Sequence, residues 1–168
     1  LDNGADRFGL LCDQVETLAE TPRLLALDDR LRAAVSEREL IHLIEAPTLL
    51  DVPLSPHYCR RAILWNDRLL PAMDLAAWLW GREQPAQPAR KLAGVVAYQP
   101  RMGAAEYGVL LLSDIPARTR VSDTQACKLP EQPTGWRDLA ISCFLDAETP
   151  VPILDLPFIF SGGLLATR

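Results

Sequence analysis

Apolar and polar positions alternate in short runs along most of the chain, and few stretches keep the three-to-four spacing of a helix. Residues 63–65 and 69–70 are apolar and flank Asn66-Asp67, a pair that tolerates the left-handed backbone of a tight turn, so this stretch predicts a β-hairpin. Pro71 follows, and Asp74 stands directly before LAAWL (75–79), where its carboxylate can accept from the free amides of a new helix. Strand, turn, strand and capped helix therefore occupy one continuous run, 60–80.

The same run recurs. LPAMDL (70–75) matches VPILDL (151–156), each behind a predicted hairpin and ahead of an apolar helix; the second hairpin is expected over 139–145 and 151–154, turning at 146–149. Residues 24–27 and 31–35 read as strands around polar 28–30, and 92–98 and 107–112 as two more. Ser36 is expected to cap a short helical turn carrying Leu40, Ile41, Leu43 and Ile44, followed by a proline-punctuated extended connection over 48–56. Residues 113–134 are polar and irregular. Near the N-terminus, Phe8, Leu11, Cys12, Val15 and Leu18 keep helical spacing with Asp6, Asp13, Glu16 and Glu20 opposite, so 6–19 predicts an amphipathic helix, although 7–13 also fits a strand. Only 81–89, GREQPAQPA, has the composition of a linker. The organisation that follows is an N-terminal extension (1–23), a first lobe (24–80), a linker (81–90), a second lobe (91–160) and a tail (161–168).

Composition narrows the function classes. The 168 residues are 49% apolar and 23% charged, ordinary for a packed globular chain. The net charge is −5 and Lys and Arg are scattered, which argues against a nucleic-acid surface. No run is long enough to insert directly into a membrane, and LDNGADRFG lacks the start of a signal peptide, so a cytoplasmic location is expected. Cys12, Cys59, Cys127 and Cys143 have no spacing suited to zinc and read as reduced, mostly buried thiols.

Candidate chemistry is sparse. His57-Tyr58-Cys59 could supply a base and a nucleophile, but neighbours on a strand point to opposite faces. His42 sits between leucine and isoleucine with no clustered carboxylates, and Asp74 and Asp155 both precede helices, where capping explains them better than acid–base work. No phosphate-binding glycine loop or nucleophile elbow is present. The expectation is a protein without catalytic, metal or cofactor-binding residues. Trp78 reads as core, whereas Trp65, beside a turn, is a candidate interface anchor.

The ordered set LLALDD, RLRAAV, ELIHLI, LLDVP and RLLPAMDL, followed by VVAYQ, EYGVLLLSDI and PVPILDL, resembles the CheW-like domain of bacterial chemosensory systems. The resemblance covers about 24–160. It implies a mainly β fold of two SH3-like five-stranded barrel lobes with short helices, and a role as an adaptor. The implied partners are the regulatory domain of a CheA-type histidine kinase and the cytoplasmic tip of a chemoreceptor, with self-association compatible and recruitment to membrane-associated or polar arrays expected. The candidate contact residues for such a role are Leu40, Leu43, Trp65, Asn66 and Arg68. Typical relatives carry arginine in the first hairpin turn where this chain has Asn66, and a neutral amide cannot replace a forked charge. The usual receptor contact therefore does not carry over. A divergent adaptor, serving for example a pilus or surface-sensing system, or a polar-localisation scaffold, fits this departure.

Overall fold

In the computed structural model, which describes residues 22–81, 90–100, 102–162 and 164, the alternating runs fold into two sheets. The strands are β1 (Pro22–Ala26), β2 (Arg32–Ser36), β3 (Leu40–Glu45), β4 (Leu50–Asp51), β5 (Arg61–Trp65), β6 (Arg68–Met73), β7 (Leu92–Tyr98), β8 (Glu106–Leu112), β9 (Ala117–Arg118), β10 (Ala140–Asp146) and β11 (Thr149–Leu154). Short helices α1 (Leu75–Trp80), α2 (Trp136–Leu139) and α3 (Leu156–Phe160) cover them. The first sheet runs β10-β11-β2-β1-β9 and the second β3-β7-β8-β6-β5-β4. The predicted helix over 6–19 and residues 82–89 of the predicted linker lie outside the described residues.

The repeat is visible atom by atom. Both hairpins close on two residues with positive φ, Asn66 (48°) and Asp67 (61°) in one and Ala147 (48°) and Glu148 (68°) in the other, the backbone that a primed turn requires. The second turn is thus tighter than the four-residue loop expected. Asp74 caps α1 by accepting from the Ala77 amide at 3.0 Å, and Asp155 caps α3 by accepting from Phe158 at 3.2 Å. Each second strand then pairs in parallel with a distant one: β6 with β8 through Ala72↔Val109, and β11 with β2 through Ile153↔Ala34.

These parallel pairings mean that the sheets do not follow the halves of the chain. The first sheet takes β1 and β2 from before the linker and β9 to β11 from after it, and the second takes β3 to β6 from before and β7 and β8 from after. A division at 81–90 therefore does not separate them. The second sheet also has six strands, because Leu50-Asp51, within the connection expected to be merely extended, pairs with Ala62 and Arg61.

The helical turn expected over 40–44 is a strand. β3 pairs with β7 from Leu40↔Val96 to Glu45↔Leu92, with a bulge between Leu40 and His42. The extra residue puts Leu40 and Leu43 on one face, three positions apart, and that spacing imitates a helix in the sequence.

Apolar side chains separate into three clusters. Ile63, Leu70, Ala72, Ala93, Val95, Val109 and Leu111 fill the inside of the second sheet. Ala34, Val121, Phe144, Val151 and Ile153 fill that of the first. The largest cluster lies between them and draws Leu25, Val35, Trp78, Leu110, Trp136, Leu154 and Ile159 from both sheets and all three helices. Alternate residues of β2, β6 and β8 thus serve different cores. This explains why β7 and β8 read as continuous apolar runs: both their faces are buried.

Candidate functional site

The hairpin β5–β6 brings the sequence-predicted contact residues to two different places. Trp65 and Arg68 face each other across the ladder at its tip, with Asn66 in the exposed turn between them. Trp65 is half-buried at the mouth of the inner cluster of the second sheet. Its ring lies 5.6 Å from that of Tyr107 on β8 and 6.3 Å from that of His42 on β3, and the Arg68 guanidinium sits 5.5 Å from the Tyr107 ring centroid. Four strands therefore contribute one ring or cation each to a single mouth. Stacking of an arginine on an aromatic face contributes about 0.5–1 kcal/mol at an exposed site, so the cluster holds its geometry while staying accessible.

Leu40 and Leu43 do not join it. They pack, partly buried, against the large central cluster, and Leu40 Cδ1 would lie 3.0 Å from a Cβ added to Gly94. Their neighbour His42 points the other way, which is the consequence of the bulge.

The outer face of the same hairpin carries residues that the sequence reading passed over. Leu64 and Leu69 are cross-strand partners and are 64% and 62% exposed, with Leu50 of the adjacent strand at 43%. The signal was available: once Ile63 and Leu70 point inward, strict alternation must turn Leu64 and Leu69 outward. Apolar side chains aligned across strands on a solvent face make this side of the hairpin a candidate contact surface. Tyr107 and His42 gave no such signal, because their approach to Trp65 depends on β3 and β8 flanking the hairpin, which is a long-range fact.

The candidate chemistry weighed in the sequence finds structural uses. His57 Nε2 is 3.1 Å from the Ala77 carbonyl at the end of α1, and the Tyr58 carbonyl accepts from the Asp74 amide at 2.8 Å. This triplet lies in a loop, not on a strand. Asp74 also faces the buried Arg90 guanidinium at 3.5 Å. Burial is the main cause that pushes the Glu39 carboxyl above its ordinary range, with the Ser36 amide opposing and nearby Asp155 adding to it. Among the described residues no group of three or more His, Cys, Asp or Glu could hold a metal ion, and no helix is long and apolar enough to cross a membrane.

No family model and no curated protein sequence matches the chain. Among solved structures, the chain is similar to the scaffolding protein TtCheW from Thermoanaerobacter tengcongensis, with a TM-score of 0.62 at 9% sequence identity, over 83% of this chain and 91% of that one. At that identity the likeness is one of fold, and the fold is the two-lobed, mainly β CheW-like one.

Proposed function

We propose that this chain is a non-enzymatic scaffold of a chemosensory assembly, an adaptor that joins the regulatory domain of a CheA-type histidine kinase to a receptor at the cytoplasmic side of the membrane. The observation that carries the reading is the correspondence of fold with a scaffolding protein across nearly the full length of both chains. The surface of the β5–β6 hairpin supports it. An accessible aromatic–arginine cluster at the tip and an aligned leucine pair on the outer face are the residue types that anchor protein interfaces, where a few aromatic and arginine side chains dominate the binding energy. Asn66 in the turn itself supplies no charge, so recognition on this hairpin rests on Trp65, the Arg68 cation beside the turn, and the leucines.

The test is a binding titration of the full chain with the purified regulatory domain of a CheA-type kinase from the same organism. A Leu64→Asp, Leu69→Asp double variant and a Trp65→Ala variant should each weaken binding by about 30-fold or more, the loss expected of an interface anchor. Both leucines are exposed, so the first variant opens no cavity; its directly opposed carboxylates repel and should lower the melting temperature only slightly, with a wild-type circular-dichroism spectrum checking that the fold is kept. Failure of the wild-type chain to bind any such kinase domain would overturn the reading, and binding undiminished in both variants would remove the hairpin from the interface.

A further inference from the structure

β10 is an outer strand of the first sheet, and the irregular segment after β9 returns to lie along it. Ala126 bridges Phe144, the Cys127 amide donates to the Cys143 carbonyl at 3.0 Å, and Gln125 Nε2 donates to the Leu145 carbonyl at 2.9 Å. Cys127 and Cys143 thereby become opposed residues of an antiparallel pair. Their sulfurs are 3.3 Å apart. Opposed antiparallel residues have Cα atoms about 4.5–5.5 Å apart, inside the window of about 4.4–6.8 Å that a disulfide spans. Closing the sulfurs to about 2.05 Å is a side-chain adjustment that leaves the strand pairing in place.

We propose that Cys127 and Cys143 are a reversible dithiol–disulfide pair, oxidised by a low-molecular-weight disulfide, that latches the connection between β9 and α2 onto the edge of β10. Exposure orders the two thiols. Cys143 is 2% exposed, whereas Cys127 is half-buried and open to a small molecule. Burial above all, with the adjoining Cys127 thiol, pushes the Cys143 thiol up to about 12. The attack on the oxidant therefore falls to Cys127.

As a thiolate, Cys127 displaces one sulfur of the small disulfide; the small S–S bond breaks, a mixed disulfide forms on Cys127, and the released small thiolate takes up a proton. Cys143 Sγ then attacks Cys127 Sγ, its proton passing to the second small thiolate as that leaves. Two protein thiols are oxidised by two electrons, and one small disulfide is reduced to two small thiols. In the reduced state the segment is held on β10 by hydrogen bonds and can lift, freeing a strand edge flanked by exposed Ile141 and Leu145. In the oxidised state it cannot. This inference stands apart from the kinase-scaffold reading, since it concerns the opposite sheet.

The experiment treats the full chain with oxidised glutathione, blocks remaining thiols with iodoacetamide after unfolding, and maps the digest by mass spectrometry. The expected product is a peptide cross-linked between Cys127 and Cys143 that dithiothreitol removes, absent from Cys127→Ser and present in Cys59→Ser. Because the bond joins cysteines at a sequence separation of 16, oxidation should raise the melting temperature by roughly 5–10 °C in the wild type and not in Cys127→Ser. Recovery of both cysteines as alkylated thiols, or a glutathione adduct persisting on Cys127 beside an alkylated Cys143, would overturn the proposal. An unchanged melting temperature in cross-linked protein would overturn the latch.

Discussion

Asp28 and Trp80 join the turn between β1 and β2 to the end of α1, two parts of the chain 52 residues apart. The carboxylate is 5% exposed and has three donors: the Arg30 and Leu31 amides reach Oδ1 at 2.7 Å each, and Trp80 Nε1 reaches Oδ2 at 2.7 Å. The Arg30 guanidinium lies over the Trp80 ring at 4.3 Å and closes the arrangement from outside. Replacing Trp80 by Phe keeps most of the apolar body and removes the N–H. A hydrogen bond to a charged group contributes about 1.5–3 kcal/mol, and the weaker stacking of Arg30 on phenylalanine forfeits part of a further ~0.5–1 kcal/mol. The expected loss is about 2–3 kcal/mol, or a melting temperature lower by roughly 5–10 °C at this chain length.

The assay that isolates the joint is a double-mutant cycle in urea with Asp28→Asn. Asparagine keeps an acceptor for the two turn amides but sets its own N–H₂ against the Trp80 donor. In that background Trp80→Phe removes a donor–donor conflict in place of a bond, and should cost little. A coupling of about 1–3 kcal/mol is expected. If the two substitutions add within about 0.5 kcal/mol, or Trp80→Phe leaves the urea midpoint unchanged, the carboxylate–indole bond is not what holds turn and helix together.

Gly135→Ala drives a Cβ into the ring of Trp78, which is 1% exposed and has nowhere to move, so calorimetry should show a loss of about 1–3 kcal/mol. Gly108→Ala meets the Phe160 ring, but that ring lies half-buried on Tyr98 and can swing away, so its cost should be the smaller of the two. Although both acidic caps serve the same amide position, Asp74→Ala should destabilise more than Asp155→Ala in a thermal melt: the second loses a cap worth about 1 kcal/mol, and the first also strands the buried Arg90 charge. Glu39→Gln keeps the acceptor for the Ser36 amide and removes a carboxylate that burial disfavours. The raised folded-state value means that wild-type stability falls as pH rises from the ordinary carboxyl value through the folded one; urea titrations should find the variant more stable at pH 7 and the gap closing below a pH of about 4.

What could be read from the sequence was local. Turn pairs with positive φ, capping aspartates and period-two strands are set by neighbours in the chain, and the recurrence of LPAMDL as VPILDL exposed the repeat before any coordinate did. The misreadings share one origin, the absence of partner strands. The bulge in β3 exists only against β7, and without it Leu40 and Leu43 look like one face of a helical turn. Leu50-Asp51 looks like loop until β5 is beside it. That Trp65 lies beside the turn follows from the sequence, yet the rings that make its surroundings, His42 and Tyr107, come from strands placed by the sheet order. The Cys127–Cys143 contact is invisible for the same reason.

The exchange of strands between the halves also bears on how a scaffold of the kind proposed would work. If each half folded by itself, a partner pulling on one lobe would meet only the linker as resistance. Here β2 is held in parallel by β11, β6 by β8, and the largest apolar cluster takes side chains from both sheets. Displacing one sheet relative to the other would open that cluster, at about 25 cal/mol for each Å² of apolar surface returned to water. In the proposed role, surfaces on the two sheets would keep a fixed mutual geometry, and strain applied at the β5–β6 hairpin would pass through β6 and β8 into the shared core. If the proposed role holds, this topology favours fixed positioning of partners over hinge motion between the sheets.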